Sequence, residues 1–464
     1  MIYFRTFAYN AEKTIKKAVD SVLNQTYKEF VYYLMDNGST DGTREIIQEY
    51  ACRDSRIVPF WCDRNHDHTE NLEFWELPYR LKEEDFFCIL DADDTYDETF
   101  LEEMVKFQKE NELDIAICGT RMINAVTGEY CGERTLNGNY ILGDAQNFST
   151  YFPEVHWNLR QVWGKLYTAR AARARFETKS PEWFPRAYGG DTINVYECVK
   201  ASEKIGVLGK ALHSYLISPR SVSYKWIDGR EIADFTLFEK AQELLIQKCG
   251  YVSPRNLNFL YAVQFNALRD TLRVLFGSDL SPERKVEILK GIFENSITQQ
   301  TFYEEGNVRE EEKTQLLTEV VCGIIELAQK VEKSSLPEIA DIYKVFNTDF
   351  TELIPTEALG WYMEQLPLLV RNVALQEYEY AVNNLLVYFA KENGIECETD
   401  APIVLGQMLA SLRNEEAKYV YFSKQMIHWC IRNNRLEQAR RDLDEWLQIL
   451  PEDQDLIKMK QMCE

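Results

Sequence analysis

Two acidic clusters have the composition to do chemistry: Asp36-Asn37-Gly38-Ser39 and Asp91-Ala92-Asp93-Asp94. Each follows an apolar run, Phe30 to Met35 and Phe86 to Leu90, of the length expected for a buried β-strand. A carboxylate at such a place cannot remain buried and unpaired, so these groups must face water, a cation or a ligand. In open α/β sheets ligands bind in the crevice outside the carboxyl ends of the strands. An Mg2+ or Mn2+ ion held by one or two carboxylates, with substrate phosphates completing its shell, would satisfy the clusters. The plainer role for Asp36 and Asp91 is to cap the helices that follow.

The elements that would carry these clusters are read from periodicity. Apolar runs at Ile2 to Thr6, Phe30 to Met35, Ile57 to Trp61, Phe86 to Leu90 and Ile115 to Gly119 predict strands. Between them, Lys13 to Leu23 and the residues after Ser39-Thr40-Asp41 have helical spacing, so the chain opens as an α/β domain with a largely parallel sheet. From about Gly229 the helical period takes over, with a stripe at Leu257, Tyr261, Leu268, Leu272 and Leu275 and a capped start at Ser281-Pro282-Glu283. The expected organisation is an α/β domain over 1–228 and an all-helical domain over 229–464, with an internal break in the acid-rich stretch 294–313. Near the end, Asn434 to Ala439 with Leu443, Trp446, Leu447 and Pro451 resembles one tetratricopeptide hairpin; an unrelated helical bundle would read the same way.

Four segments match, in order and spacing, the nucleotide-binding half of the family 2 glycosyltransferases: Thr6 to Lys13, Ser21 to Tyr27, Met35 to Thr43 and Leu90 to Asp94. The resemblance implies the GT-A fold, with a mixed, mostly parallel sheet, and transfer of a sugar from a nucleotide diphosphate, usually a UDP-sugar, to an acceptor hydroxyl with inversion. By position it sets the backbone of Thr6, Phe7, Ala8 and Tyr9 along the nucleotide slot and Asp36 and Asn37 against the nucleobase and ribose. It sets Asp91 and Ala92 at the ribose and Asp93 on an Mn2+ or Mg2+ ion at the diphosphate. The family's second Asp is Asn37 here, which bears on preference for uracil.

Transfer also needs charge stabilisation on the departing diphosphate and a base for the acceptor hydroxyl. The matching base is Asp191 in Gly189-Gly190-Asp191-Thr192; the family's preceding Glu is Gly190 here. Trp163-Gly164-Lys165-Leu166-Tyr167 resembles the segment leading to the acceptor half, and Lys165 is the expected donor-side cation. Trp183-Phe184 would suit stacking on an acceptor ring, or a place in the core. His213, with Ser218, Arg220 and Ser221-Val222-Ser223, resembles the closing segment in which a His approaches the metal. Between Asn65 and Glu84 the chain departs from its relatives, which leaves Arg80 open between a donor contact and a surface residue. His66 and His68 with Asp63 have metal-ligand spacing, though a solvated loop is the simpler reading. The run Arg160, Lys165, Arg170, Arg173, Arg175 would steer an anionic donor or acceptor, or balance a helix face.

Composition narrows the class. The 464 residues carry 75 Asp and Glu against 52 Lys and Arg, a formal charge of −23, which argues against nucleic acid as a partner. A hydrophobic fraction of 45% and an aromatic fraction of 13% predict folded cores rather than disorder. Eleven scattered cysteines without CxxC spacing predict buried thiols in a reducing cytosol. No signal peptide or membrane span is expected, so the reading is a cytoplasmic, non-processive enzyme at the inner face of a membrane, acting in cell-surface polysaccharide or glycoconjugate synthesis. The acceptor class stays open between glycan, lipid-linked and protein acceptors. The helical region would recognise acceptor, anchor to a membrane or protein partner, or form a homo-oligomer. The competing reading is a non-catalytic scaffold that binds nucleotide or glycan and uses its helices for protein interaction.

Overall fold

A computed structural model describes residues 1–65, 71–177, 188–218, 225–303 and 308–328, together with 420, 423–424, 427–428, 430–431, 434 and 436–463. Packing divides the chain into two compact units, Met1–Gln264 and Phe265–Glu464.

The first unit is built on a sheet of ten strands: β1 Ile2–Ala8, β2 Phe30–Asn37, β3 Ile57–Cys62, β4 Phe86–Ile89, β5 Thr95–Tyr96, β6 Ile115–Asn124, β7 Tyr130–Arg134, β8 Tyr140–Leu142, β9 Lys165–Thr168 and β10 Ile205–Ile217. Their order is β3-β2-β1-β4-β9-β6-β10-β5, with β7 added on β6 and β8 on β10. β3, β2, β1 and β4 are parallel throughout, as are β6 and β10, whereas β9 runs antiparallel to both β4 and β6. This is the mixed sheet that the GT-A resemblance implies. All five expected strands are present, and the antiparallel members are those without a long apolar run of their own.

Helices cover both faces, which is why the central strands read as nearly continuous apolar runs. α1 Ile15–Leu23, α2 Thr43–Arg53 and, from further along, Phe100–Asn111 bury Ile15, Ala18, Val19, Val22, Ile47, Leu101 and Met104 with Phe4, Tyr32 and Leu34. On the other face the short α3 Leu72–Trp75 and α4 Leu77–Arg80 follow, and Phe74 packs on Met35, Phe60 and Cys62. Arg5, buried in the middle of β1, is held there by the rings of Phe74, Trp75 and Phe87 at 5.6, 5.8 and 5.1 Å.

In chain order the remaining helices of this unit are α5 Phe100–Asn111, α6 Ala145–Val155, α7 Ala169–Glu177, α8 Gly190–Ala201, α9 Arg230–Cys249 and the first part of α10 Pro254–Phe276, with a 3-10 turn at His156–Leu159. Helices do take over at Arg230, where the period of the sequence changes. The compact unit nevertheless continues to Gln264, because α9 packs on α8 and α6. Tyr188 donates to Asp234 at 2.9 Å and Asn256 to the Ser149 carbonyl at 3.0 Å. A change of period marks where helices begin, not where a core ends.

The described elements of the second unit are all helices: the rest of α10, then α11 Pro282–Glu294, α12 Ser296–Tyr303, α13 Glu310–Ala328, α14 Leu436–Ile449 and α15 Gln454–Cys463. Ser281 caps α11 through the Arg284 N–H, as its Ser-Pro-Glu sequence predicts. The acid-rich stretch 294–313 holds a joint at Asn295 and then α12, and Lys313 is drawn inward by the Phe302 carbonyl at 3.0 Å. α14 and α15 form a hairpin with its own core of Ala439, Leu443, Leu456 and Met459. Among the described residues no helix is long and apolar enough to cross a membrane. Six of the nine described cysteines are buried and all nine are free, but Cys52 and Cys131 are exposed, contrary to the expectation of burial.

Candidate active site

The parallel registers bring the two acidic clusters to one edge. Ala8 at the end of β1 lies beside Asp36 on β2, and Arg5 beside Ile89 on β4, whose next residues are Leu90 and Asp91. Thr6 joins the three strands: Tyr32 donates to its hydroxyl at 3.0 Å, and the hydroxyl donates to the Leu90 carbonyl at 2.7 Å. The Thr6 side chain is therefore structural, and Ala8 is buried. Phe7 and Tyr9 point outward, 40% and 45% exposed, with Phe7 against Trp75 at 5.9 Å.

Asp36 departs from expectation. It is fully buried, accepting from the Ser39 N–H at 3.2 Å and from Arg44 Nε at 2.9 Å, so its carboxylate builds the turn instead of facing a ligand. The turn also depends on Gly38, at φ +75°, where a Cβ would lie 2.6 Å from the Arg64 backbone. Asn37 donates through Nδ2 to Asn65 Oδ1 at 3.0 Å, and its own Oδ1 is buried without a hydrogen-bond partner.

At the second cluster Asp91 and Ala92 are half-buried and Asp93 is exposed. Desolvation of its carboxylate raises the Asp93 pKa, while its own backbone N–H and His213 act the other way. Asp94, not singled out among the candidate residues, is the anchor. Its Oδ1 accepts from the Leu216 N–H at 2.9 Å, and its Oδ2 lies 3.2 Å from His213 Nε2. His213 is fully buried, stacked on Trp163 at 4.2 Å with 15° between planes, and its Nδ1 lies 3.4 Å from Thr120 Oγ1. Burial pushes the imidazole down to about 3, with Lys165 adding to it, so His213 is neutral. Burial, with the Asp93 charge, pushes the Asp94 carboxyl well up.

Asp94 Oδ2 and His213 Nε2 face each other without a hydrogen bond to either. With the proton on Nδ1 toward Thr120, Nε2 offers a lone pair. Such a pair of orphaned acceptors beside exposed Asp93 fits a hard cation. Among the described residues no three His, Cys, Asp or Glu side chains converge as a complete cage, so an ion here would take further oxygens from substrate and water.

The expected base is held separately. Gly189, at φ +79°, turns the chain into α8, and Asp191 stands exposed on its first turn. Thr192 donates to the Arg160 carbonyl at 3.0 Å, tying α8 to the segment that leads to Trp163. Lys165, expected as the donor-side cation, is an internal brace in this structure. It is buried, its Nζ donating to the carbonyls of Gln161 and, at 3.3 Å, Trp163. Burial lowers its pKa to about 7 against the pull of Cys118 and Asp191. Arg80 is exposed and 3.9 Å from Glu73, a surface ion pair. Of the basic run, Arg170 binds Asp114 and Glu203, and Arg173 binds Glu83. His66, His68, Trp183, Phe184, Arg220, Ser221, Val222 and Ser223 lie outside the described residues, as does the side chain of Arg175.

Comparison with known proteins gives likenesses over part of the chain. The model of "Glycosyl transferase family 2" matches residues 6–160. Glycosyltransferase GlyA of Streptococcus pneumoniae is 26% identical over 238 residues, covering 47% of this chain and 31% of that protein. The putative teichuronic acid biosynthesis glycosyltransferase TuaG of Bacillus subtilis is 30% identical over 118 residues, 25% of this chain and 44% of that one. The chain thus spans less than half the length of either relative. Among solved structures, S. aureus TarS 1–349 in complex with UDP-GlcNAc aligns with a TM-score of 0.40 at 16% identity, covering 85% of this chain and 92% of that one. The family likeness is therefore carried by residues 6–160, which match the model of glycosyl transferase family 2.

Proposed function

We propose that the protein is an inverting, metal-dependent, non-processive glycosyltransferase that moves a sugar from a nucleotide diphosphate donor, a UDP-sugar, to an acceptor hydroxyl in cell-surface polysaccharide synthesis. The observation that carries this reading is the facing pair of orphaned atoms, Asp94 Oδ2 and His213 Nε2, behind exposed Asp93 at the carboxyl edge of the parallel strands. The match of residues 6–160 to the family 2 model supports the reaction class, and the naming of TuaG for teichuronic acid biosynthesis supports the setting.

The roles follow from position. Phe7 and Tyr9 present exposed rings along the nucleotide slot, with Asn37 Oδ1 as the buried acceptor for a nucleobase N–H. Asp91 and Ala92 border the ribose. Asp93 and His213 would hold a Mn2+ or Mg2+ ion, with Asp94 beside them; when bound, the ion supplies charge neutralisation on the departing diphosphate. Asp191 accepts the proton of the acceptor hydroxyl, and its exposure at the start of α8 leaves its carboxylate open to that hydroxyl. Lys165 keeps the Gln161–Trp163 segment in place between α8 and His213.

The test is calorimetric titration of UDP and other nucleoside diphosphates with Mn2+ and again with chelator. Metal-dependent binding of UDP that is lost in Asp93→Ala is expected. Equal affinity in the two proteins contradicts the metal role, and no binding of any nucleotide favours the scaffold reading.

A further inference from the structure

In a chain of formal charge −23, an arginine without a carboxylate is informative. In the first unit Arg44, Arg56, Arg121, Arg170 and Arg173 each bind one. Arg134 and Arg160 have none among the described residues, and they lie together. Arg134 sits on β7 directly across from Thr120, so its side chain shares a sheet face with Thr120, whose hydroxyl touches His213. Its guanidinium lies 3.3 Å from the centroid of the Trp157 ring, a stacked arrangement that fixes the fork in a plane. Arg160 ends the same 3-10 turn that carries Trp157, and its carbonyl is the partner of Thr192, next to Asp191. Desolvation and the Arg160 charge both lower the Arg134 pKa, as expected of two cations held close without a counter-ion.

We propose that Arg134 and Arg160 bind an oxyanion, phosphate or carboxylate, carried by the acceptor, so that this enzyme glycosylates an anionic acceptor. The inference rests on the glycosyltransferase reading above. Position favours the acceptor over the donor. From β1 to β7 the sheet path runs β1-β4-β9-β6-β7, four steps of about 4.8 Å or roughly 19 Å. That path leads away from the nucleotide edge at β1 and β2, while Arg160 is tied to the helix that bears the base. A stacked, planar guanidinium suits bidentate contact with phosphate or carboxylate. Of the basic run noted in the sequence, Arg160 is the member whose charge the described structure leaves for a ligand.

The experiment measures binding of glucose 6-phosphate, glucuronate and methyl glucoside to the full chain, with and without saturating UDP and Mn2+, in wild type, Arg134→Gln, Arg160→Gln and Arg134→Lys. The expected result is that the two anionic probes bind at least about tenfold more tightly than methyl glucoside, with affinity falling as salt rises. Each Gln variant should remove about a tenfold share of that preference while UDP affinity stays within about twofold, and Arg134→Lys, which keeps the charge but loses the planar fork, should retain only part of it. Anionic and neutral probes binding alike, or anion binding unchanged in both Gln variants, overturns the proposal. UDP affinity falling in step with anion affinity also overturns it, since the arginines would then serve the donor diphosphate. Anion binding that depends on both arginines in a protein that binds no nucleotide would leave this site standing and remove the glycosyltransferase reading. If Arg134→Gln does not fold, Arg160→Gln and Arg134→Lys carry the comparison.

Discussion

Asp191 and Asp93 are both exposed acids, and their surroundings separate their roles. Asp93 has Asp94 and neutral His213 behind it, whereas Asp191 stands on the first turn of a helix with Lys165 as its electrostatic neighbour. Asp191→Asn keeps the shape and removes the base, so UDP affinity should hold while transfer rate drops by about 10²- to 10⁴-fold. Quenched-flow transfer from a labelled UDP-sugar measures this, and full activity in the variant would sink the assignment. The sequence singles out these two acids because each follows a recognisable break in pattern, an apolar strand in one case and a Gly-Gly turn in the other. Spacing did not show that Asp36 and Lys165 are buried and bound within the fold. Nothing in the spacing of Asp36 reveals that Arg44, eight residues on, takes its carboxylate. Arg134 and Trp157 were not legible either, since their stacking requires the β6–β7 pairing that brings distant segments together.

Turns and strand ends set the precision of the site. Gly38 allows the β2–α2 turn to pass within contact of the Arg64 backbone, and a methyl group there meets main chain that has no side-chain freedom to yield. Gly38→Ala should cost about 1–2 kcal/mol from the left-handed backbone alone, with more from the clash, and should weaken UDP binding by displacing Asn37. Urea midpoints and a UDP titration check it; an unchanged midpoint would mean that the Arg64 segment moves away freely. The clasp between Thr192 and the Arg160 carbonyl predicts a different split. Thr192→Val should lower stability by only about 0.5–1.5 kcal/mol and leave UDP affinity intact, yet slow transfer by loosening α8. If transfer in Thr192→Val equals wild type, the clasp does not position the base. Five of the six parallel strands were readable from apolar runs and β10 was not, while β5, β7, β8 and β9 are too short or too polar to announce themselves and are defined by their partners.

For the molecule as a whole, buried neutral histidines and the reach of the first core give the remaining predictions. His156 is buried with Nε2 3.0 Å from the Tyr196 hydroxyl; burial, then the Arg160 charge, lowers its pKa to about 3. The unfolded chain therefore binds the extra proton between pH 6.5 and 3, and stability falls as pH drops through that window by up to about 1.4 kcal/mol per unit. His213 acts in the same direction, while the raised Asp93 and Asp94 beside it act in the opposite one, so the contribution of His156 is read by difference: urea midpoints of His156→Gln should fall less between pH 7 and 5 than those of the wild type. An unaltered slope would remove His156 as a source. The same core decides where the chain can be divided. A fragment ending at 228, the boundary suggested by the change of period, would strip α9 and α10 from α6 and α8. It would uncover Phe152, His156 and Ile193, which now pack against Phe259 and Ala233, and break the Tyr188–Asp234 and Asn256–Ser149 hydrogen bonds. Because Tyr188 immediately precedes the Gly189 turn, that loss would also release the start of α8 and with it Asp191. A fragment ending at 264 keeps all these contacts. It should therefore elute as a discrete species, melt cooperatively and bind UDP as the full chain does, while the shorter fragment aggregates; a soluble, cooperatively melting fragment ending at 228 would show that α9 is dispensable to the fold that positions the base.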